Sequence, residues 1–237
     1  MNPTQHIYPS QEEVAAAFAQ ALAAHITFEE KPFHLALSGG STPKLLFAHL
    51  AENYKHEIPW EQVHLWWGDE RCVPPDHEES NYRMTKEFLL DAIAIPEANV
   101  HRVRGEDEPS AEALRYGQEI QQHLEDRDGL PAFDMIMLGM GTDGHTASIF
   151  PNNMALLASA QICEVATHPD SGQKRVTLTG KTLNAAKEVA FLVTGASKKE
   201  KVAMILNEKV GYQAYPVAHI QPTEGHLSWY LDEAAAS

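Results

Sequence analysis

Short, continuously apolar runs alternate with longer amphipathic stretches along most of this chain, and that alternation limits the fold more than any other feature. The runs "PFHLAL", "VHLWW", "FDMIML" and "EVAFLV" carry apolar residues at nearly every position, and the second reads as one continuous strand through "VHLWWGDE". A strand that is apolar on both faces must be covered on both, the condition of a parallel sheet with helices above and below it. Between these runs lie "STPKLLFAHLAENY", "NYRMTKEFLLDAI", "SAEALRYGQEIQQHLEDRDG" and "SKKEKVAMILNEKV", which read as helices, the third ending at Gly129. "SQEEVAAAFAQALAAHI" adds another, with Ser10 and Glu13 at capping-box spacing. Thr42 is the expected N-cap of the helix after "SGG", with Pro43 at its first position. "KRVTLT" reads as a further strand and "KTLNAAK" as a short helix. The predicted class is α/β with a mostly parallel sheet.

A chain of 237 residues is long enough for one substantial core, so a single domain over 1–237 is expected, with a small lobe of irregular loops at "CVPPDHEES" and "THPDSGQ". The formal net charge of -15 argues against nucleic acid and against an anionic membrane surface as partners. An anionic substrate must then find a local positive site. Cys72 and Cys163 make neither a disulfide framework nor a zinc cluster, and both read as ordinary thiols. No leader peptide and no membrane span is legible, which predicts a soluble, cytoplasmic protein.

In a parallel α/β sheet, ligands bind where the carboxyl ends of strands meet the following loops. Four loops fall there: "LSGGSTPK", "WGDERCVP", "GMGTDGHTAS" and "VTGASKK". The first has the composition of an anion cradle. Gly39 and Gly40 admit a close ligand, Ser38, Ser41 and Thr42 supply hydroxyls, and a helix N-terminus follows. It lacks P-loop spacing, and Pro43 removes one N–H.

The second loop delivers Asp69, Glu70 and Arg71 together. Arg71 could meet a phosphate or a developing oxyanion, and Asp69 could act as a base or orient another group. In the fourth loop, Lys198 and Lys199 open a helix whose dipole disfavours cations, a conflict that an anionic ligand relieves. Arg175, at the start of "RVTLT", has the same ambiguity.

The third loop carries a literal G-x-G-x-x-G at Gly139, Gly141 and Gly144, the pattern of a dinucleotide site, and Glu164 falls near the distance of a ribose-binding acid. Pro151 stops the helix such a site needs, and Asp143 would stand beside the pyrophosphate. His145 is the more informative residue. It is expected to open a very short helix, whose N-terminus keeps the imidazole neutral, while Asp143 opposes that effect or fixes the ring tautomer.

Taken together, "LALSGGSTPKLL", "WWGDERCVP" with "ESNYRM", "FDMIMLGMGTDGHTASIFP" and "KRVTLTGKTLNAAKEVAFLVTGASK" resemble the glucosamine-6-phosphate isomerase/6-phosphogluconolactonase family. The resemblance runs from about Leu35 to Lys199. It implies a three-layer α/β/α Rossmann-like fold of the NagB/RpiA/CoA transferase-like kind, with no cofactor, no metal and a small sugar phosphate as substrate. It also implies hydrolysis of 6-phospho-D-glucono-1,5-lactone to 6-phospho-D-gluconate in the oxidative pentose phosphate pathway.

Carried over by position, Ser38, Gly39, Gly40, Ser41 and Thr42 match the family's phosphate loop, completed by Arg175 and Lys198. Asp69, Glu70 and Arg71 match the D-E-R motif, and Asp143 and His145 match the D-G-H-T motif whose histidine is the expected general base. "FPNNM" departs from the family, which often has a glycine after the proline. A sibling activity, isomerising deamination of glucosamine 6-phosphate, would need Asp69 as base; Arg71 and "HTAS" favour the lactonase. A non-catalytic sugar-phosphate sensor would need a DNA-binding module or basic patch, and the sequence has neither. The expected state is a monomer, or at most a weak homodimer.

Overall fold

The apolar runs pair edge to edge in one sheet, in a computed structural model that describes residues 3–28 and 31–237. The strands, in chain order, are β1 (Thr4–Tyr8), β2 (Phe33–Leu37), β3 (Val63–Trp67), β4 (Asp69–Arg71), β5 (Glu125–Arg127) and β6 (Leu130–Ala132). They continue with β7 (Met135–Leu138), β8 (Cys163–Thr167), β9 (Lys174–Leu178), β10 (Glu188–Val193) and β11 (His226–Asp232). The helices are α1 (Gln11–Phe28), α2 (Ser41–Asn53), α3 (Asn81–Thr85), α4 (Pro109–His123), α5 (Gly180–Asn184), α6 (Lys199–Leu206) and α7 (Glu233–Ala236).

The central sheet has the order β1-β11-β10-β7-β2-β3, with every neighbouring pair parallel. The fold is thus α/β with a mostly parallel sheet, as the apolar runs require. Leu35 of β2 lies opposite Leu65 on one side and Met135 on the other. All of β7 and nearly all of β2, β3 and β10 are buried. Trp66, Trp67, Phe133, Phe191 and Trp229 fill the largest core positions, each side chain contributing about 1.5–3 kcal/mol by leaving water.

One strand anticipated as continuous is divided. "VHLWWGDE" runs through β3, and then Gly68 turns it out of the central sheet. Its N–H still donates to Leu37 O of β2 at 2.8 Å, while its carbonyl accepts from Leu178 N of β9 at 2.8 Å. Beyond it, β4 joins a separate antiparallel sheet of order β4-β9-β8. That second sheet brings Asp69 and Arg71 face to face with the strand of Arg175, directly opposite Arg71 in register.

Three local expectations are corrected. The third helix stops at His123 rather than at Gly129, because Asp128 (φ 52) and Gly129 (φ 85) form the two-residue left-handed turn of the hairpin β5-β6. Helix α2 is capped by Gly40 (φ 117), a backbone angle that threonine adopts only at a steric cost. Thr42 is instead one residue inside the helix, its hydroxyl 2.7 Å from that of Thr194. Finally, no helix follows Gly144; residues 145–149 form tight turns closed by a Thr146–Ile149 bridge, and Pro151 begins a 3-10 segment, Pro151–Leu157, rather than ending a helix.

The last residues, "HLSWYLDEAAAS", supply β11, which sits between β1 and β10, and then α7. Asp232 accepts the N–H of Ala235 at 2.8 Å, capping α7, and that of Gly195 at 2.9 Å. The C-terminal strand thereby holds the loop that carries Lys198. Among the described residues, no helix is long and apolar enough to cross a membrane.

Candidate active site

At the carboxyl ends of β2, β7 and β10, beside β4 and β9, lies a cavity of about 250 Å³. Its lining includes Ser38, Gly39 and Gly40 from the first loop, Asp69 and Arg71 from β4, His145 from the third, and Arg175 and Lys198. Four motifs distant in sequence are therefore brought to one place. Three of the anticipated residues are not on the wall: the Thr42 side chain is turned to Thr194, Ser41 stands exposed on the first turn of α2, and Asp143 lies behind His145, in contact with its ring.

His145 is built by its own loop. Asp143 Oδ1 lies 2.6 Å from His145 Nδ1 and accepts the His145 backbone N–H at 3.2 Å. The first contact assigns the ring proton to Nδ1 and leaves Nε2 as the acceptor. Although burial alone would raise the Asp143 carboxyl, its hydrogen bond to His145 and the attraction of that ring hold it at about 2. Gly141 explains the crowding, since a β-carbon there would stand 2.2 Å from His145 Nδ1 and 2.5 Å from Asp143 Oδ1. The ring rests on Phe150, at 4.8 Å between centroids.

The anticipated helix-dipole effect on His145 falls away with the helix, and a carboxylate takes its place. Of the three glycines in the G-x-G-x-x-G pattern, Gly139 meets nothing where a β-carbon would be, so its side is open. The pattern serves the histidine turn, and the helix of a dinucleotide site does not follow it.

Asp69 is occupied elsewhere. It is 5% exposed, with Oδ2 accepting from the Ser148 hydroxyl at 2.6 Å and lying 3.9 Å from Arg175 Nη1. Between the two acids, therefore, Asp143 orients the ring and Asp69 braces a cation. Arg175 Nη1 also reaches the Ser148 hydroxyl at 3.4 Å, and its guanidinium lies over Phe150, 5.7 Å from the centroid. Burial lowers the Arg175 pKa and Asp69 opposes that shift.

Arg71 Nη1 donates to Glu79 O at 2.6 Å, which ties down the loop "CVPPDHEES". The buried Nε atoms of Arg71 and Arg175 have no protein acceptor among the described residues. Lys198 is pushed down by burial and back up by the nearby charge of Asp143. Three cations, one α-helix N-terminus and a glycine loop thus converge, in a chain of net charge -15, on a site suited to a compact anion.

Sequence reading did not single out Asn81, Met140 or Ala147, which also line the cavity. Nor did it find the Ser148 hydroxyl between Asp69 and Arg175. Asn81 stood inside the quoted "ESNYRM", but no spacing rule gives a lone amide a role.

Fold and site together define an α/β protein with a cation-lined, histidine-bearing cleft at the carboxyl edge of its sheet. The chain belongs to the glucosamine-6-phosphate isomerase/6-phosphogluconolactonase family, whose model matches residues 9–229. It is 41% identical over 229 residues to a 6-phosphogluconolactonase of Haemophilus influenzae, covering 96% of each chain. Among solved structures, it superposes on one titled devB protein with a TM-score of 0.93 and 44% identity, covering 98% of this chain and 97% of that one. A 6-phosphogluconolactonase from Trypanosoma cruzi gives a TM-score of 0.88 at 30% identity, over 98% of this chain and 95% of that one.

Proposed function

We propose that this chain hydrolyses 6-phospho-D-glucono-1,5-lactone to 6-phospho-D-gluconate, in the oxidative pentose phosphate pathway. The observation that carries the reading is His145, 2.6 Å from Asp143 and lining the same cavity as Arg71, Arg175 and Lys198. The family and the names of its relatives supply the substrate class.

In this reading His145 Nε2 takes a proton from water as the water oxygen attacks the lactone C1. The tetrahedral oxyanion is met by loop N–H groups or by Arg71. His145 then returns the proton to the ring oxygen as the C1–O bond breaks, giving a free hydroxyl and a carboxylic acid that ionises. One group is base and then acid, and Asp143 balances the transient imidazolium. The 6-phosphate sits against the α2 N-terminus, Arg175 and Lys198, each charge-assisted contact contributing about 1.5–3 kcal/mol. The proposal extends to a metal-independent reaction, carried out in the cytoplasm by a single chain.

The sibling deamination needs a free carboxylate base at Asp69. The Ser148 hydroxyl and Arg175 engage that carboxylate, which favours the lactonase. The rate of lactone disappearance with and without protein, in the presence of a chelator, tests the reading. Acceleration that survives the chelator is expected; no acceleration, or ammonia release from glucosamine 6-phosphate, would overturn it.

A further inference from the structure

Asn81, the first residue of α3, is 4% exposed and lines the cavity between Gly39 and Asp69. Its Nδ2 donates to the backbone carbonyl of Asp69 at 3.0 Å, which fixes the orientation of the carboxamide. The other end of that group lies on Gly39, where a β-carbon would stand 2.0 Å from Asn81 Oδ1 and 2.5 Å from Cγ. One side chain is therefore wedged between the backbone of the anion loop and the backbone of the strand that carries Asp69 and Arg71.

The wedge is itself held from below. Glu70, 2% exposed, accepts the N–H groups of Asn81 at 2.8 Å, Tyr82 at 2.7 Å and Arg71 at 2.8 Å, and the Ser80 hydroxyl at 3.1 Å. Four donors on one buried carboxylate leave Asn81 little room to shift, because any movement exposes an unpaired polar group. Gly39 is thus glycine because a carboxamide occupies the place of its side chain.

We propose that Asn81 is a positioning residue: its carboxamide sets the separation between the phosphate loop at Gly39 and the strand of Asp69 and Arg71. A substrate anchored by its phosphate reaches the reacting groups only at the right separation. Loss of the wedge therefore misplaces the reacting carbon more than it weakens the hold on the phosphate, which keeps the α2 N-terminus and Lys198. The link to turnover rests on the proposed lactonase reaction; the wedge itself does not.

The test compares Asn81→Ala, Gly39→Ala and the double variant by kcat and KM on 6-phosphogluconolactone, by inorganic phosphate binding, and by thermal melting. Asn81→Ala is expected to lower kcat about tenfold or more, since misplacement by an ångström is costly, with phosphate affinity held within about twofold. Gly39→Ala displaces the loop and loses both. In the double variant the new methyl enters the space left by the carboxamide, and phosphate affinity and kcat recover relative to Gly39→Ala.

Wild-type kcat in Asn81→Ala, phosphate affinity falling in step with kcat, or a double variant no better than Gly39→Ala would each overturn the assignment. Where Asn81→Ala does not fold, Asn81→Ser, which keeps a polar side chain but is too short to bridge Gly39 and the Asp69 carbonyl, carries the same readouts. A wild-type protein inert toward the lactone overturns the lactonase reading alone; the wedge is then judged by whether Asn81→Ala restores the phosphate affinity lost in Gly39→Ala.

Discussion

Two groups of histidines sit at opposite ends of the same parallel sheet, and they have opposite physical characters. At the carboxyl edge, His145 faces the cavity and has a carboxylate 2.6 Å away. Toward the amino ends of β2 and β3, four imidazoles pack around Trp66. His34 lies opposite His64 in register, their centroids 4.8 Å apart, and His101 stacks on Trp66 at 3.8 Å. His64 Nδ1 is 3.0 Å from His101 Nε2, and His123 closes on His101 at 4.7 Å.

Burial and the neighbouring rings push the charge off two of these, His34 and His64. Burial first, and then His64, bring His34 down to about 4, against the pull of Asp134; His64 is lowered by burial and by His101 and His123. Glu119 contacts His101 at 2.9 Å and also pairs with Arg115. His34 and His64 are thereby disfavoured as cations, whereas His145 has an acid partner and an open cavity beside it. The count of 13 histidines distinguishes none of them; their surroundings do.

The sharpest way to break this contrast is His145→Ala. Loss of a positioned acid–base group is expected to cost about 10² to 10⁴ in kcat, read as lactone disappearance, with binding of 6-phosphogluconate nearly intact. Wild-type turnover would remove the proposed base.

Asp143→Asn retains the shape of the pair and removes its charge. A charged hydrogen bond contributes about 1.5–3 kcal/mol, so kcat should fall roughly tenfold to a hundredfold while KM changes little. Because the Asp143 carboxyl is held at about 2, below its ordinary 3.8, the stability it contributes is present above pH 3.8 and is lost only as the pH falls toward 2. Asp143→Asn should therefore flatten the pH dependence of unfolding in that interval, as measured by urea denaturation.

Next in size, Arg175→Met leaves the dyad in place but removes a charge-assisted anchor. A rise of about tenfold or more in KM is expected, larger than any change in kcat. An unchanged KM would move the phosphate elsewhere in the cavity.

The smallest effect should come from the cluster. The neutral form of His34 is favoured in the fold, so its contribution to stability is complete above pH 6.5 and is lost as the pH falls from there to about 4. His34→Gln offers Trp66 Nε1 another acceptor and carries no titrating ring. Its stability should fall less steeply than that of the wild type across that interval, with kcat unaltered. An equal slope in the two proteins would show that His34 titrates alike in the folded and unfolded chains.

Local pattern made the central strands legible, because an unbroken apolar run with turn residues at its end has few alternatives. It failed where a single residue changes direction. Nothing in "VHLWWGDE" says that Gly68 hands its carbonyl to a second sheet, nor in "LEDRDG" that a hairpin replaces the last turn of a helix. The terminal strands β1 and β11 were equally hidden, since their pairing joins the two ends of the chain.

For the site, the glycine, D-E-R and D-G-H motifs and the cations at Arg175 and Lys198 were all legible by residue type. Composition at the end of a strand limits a loop to a few chemistries. Which acid serves His145 was open between Asp69 and Asp143, and Thr42 was given a cap that Gly40 supplies.

By itself, then, the sequence determined the α/β class, the four loops at one edge and the residue types those loops deliver, because periodicity and turn chemistry are local. Only the tertiary structure decided the pairings: Asp143 with His145, Asp69 with Ser148 and Arg175, and Asn81 against Gly39. The energy of a buried polar group depends on which partner stands within about 3 Å, and that partner is chosen by how distant segments pack, not by the residues beside it in the chain.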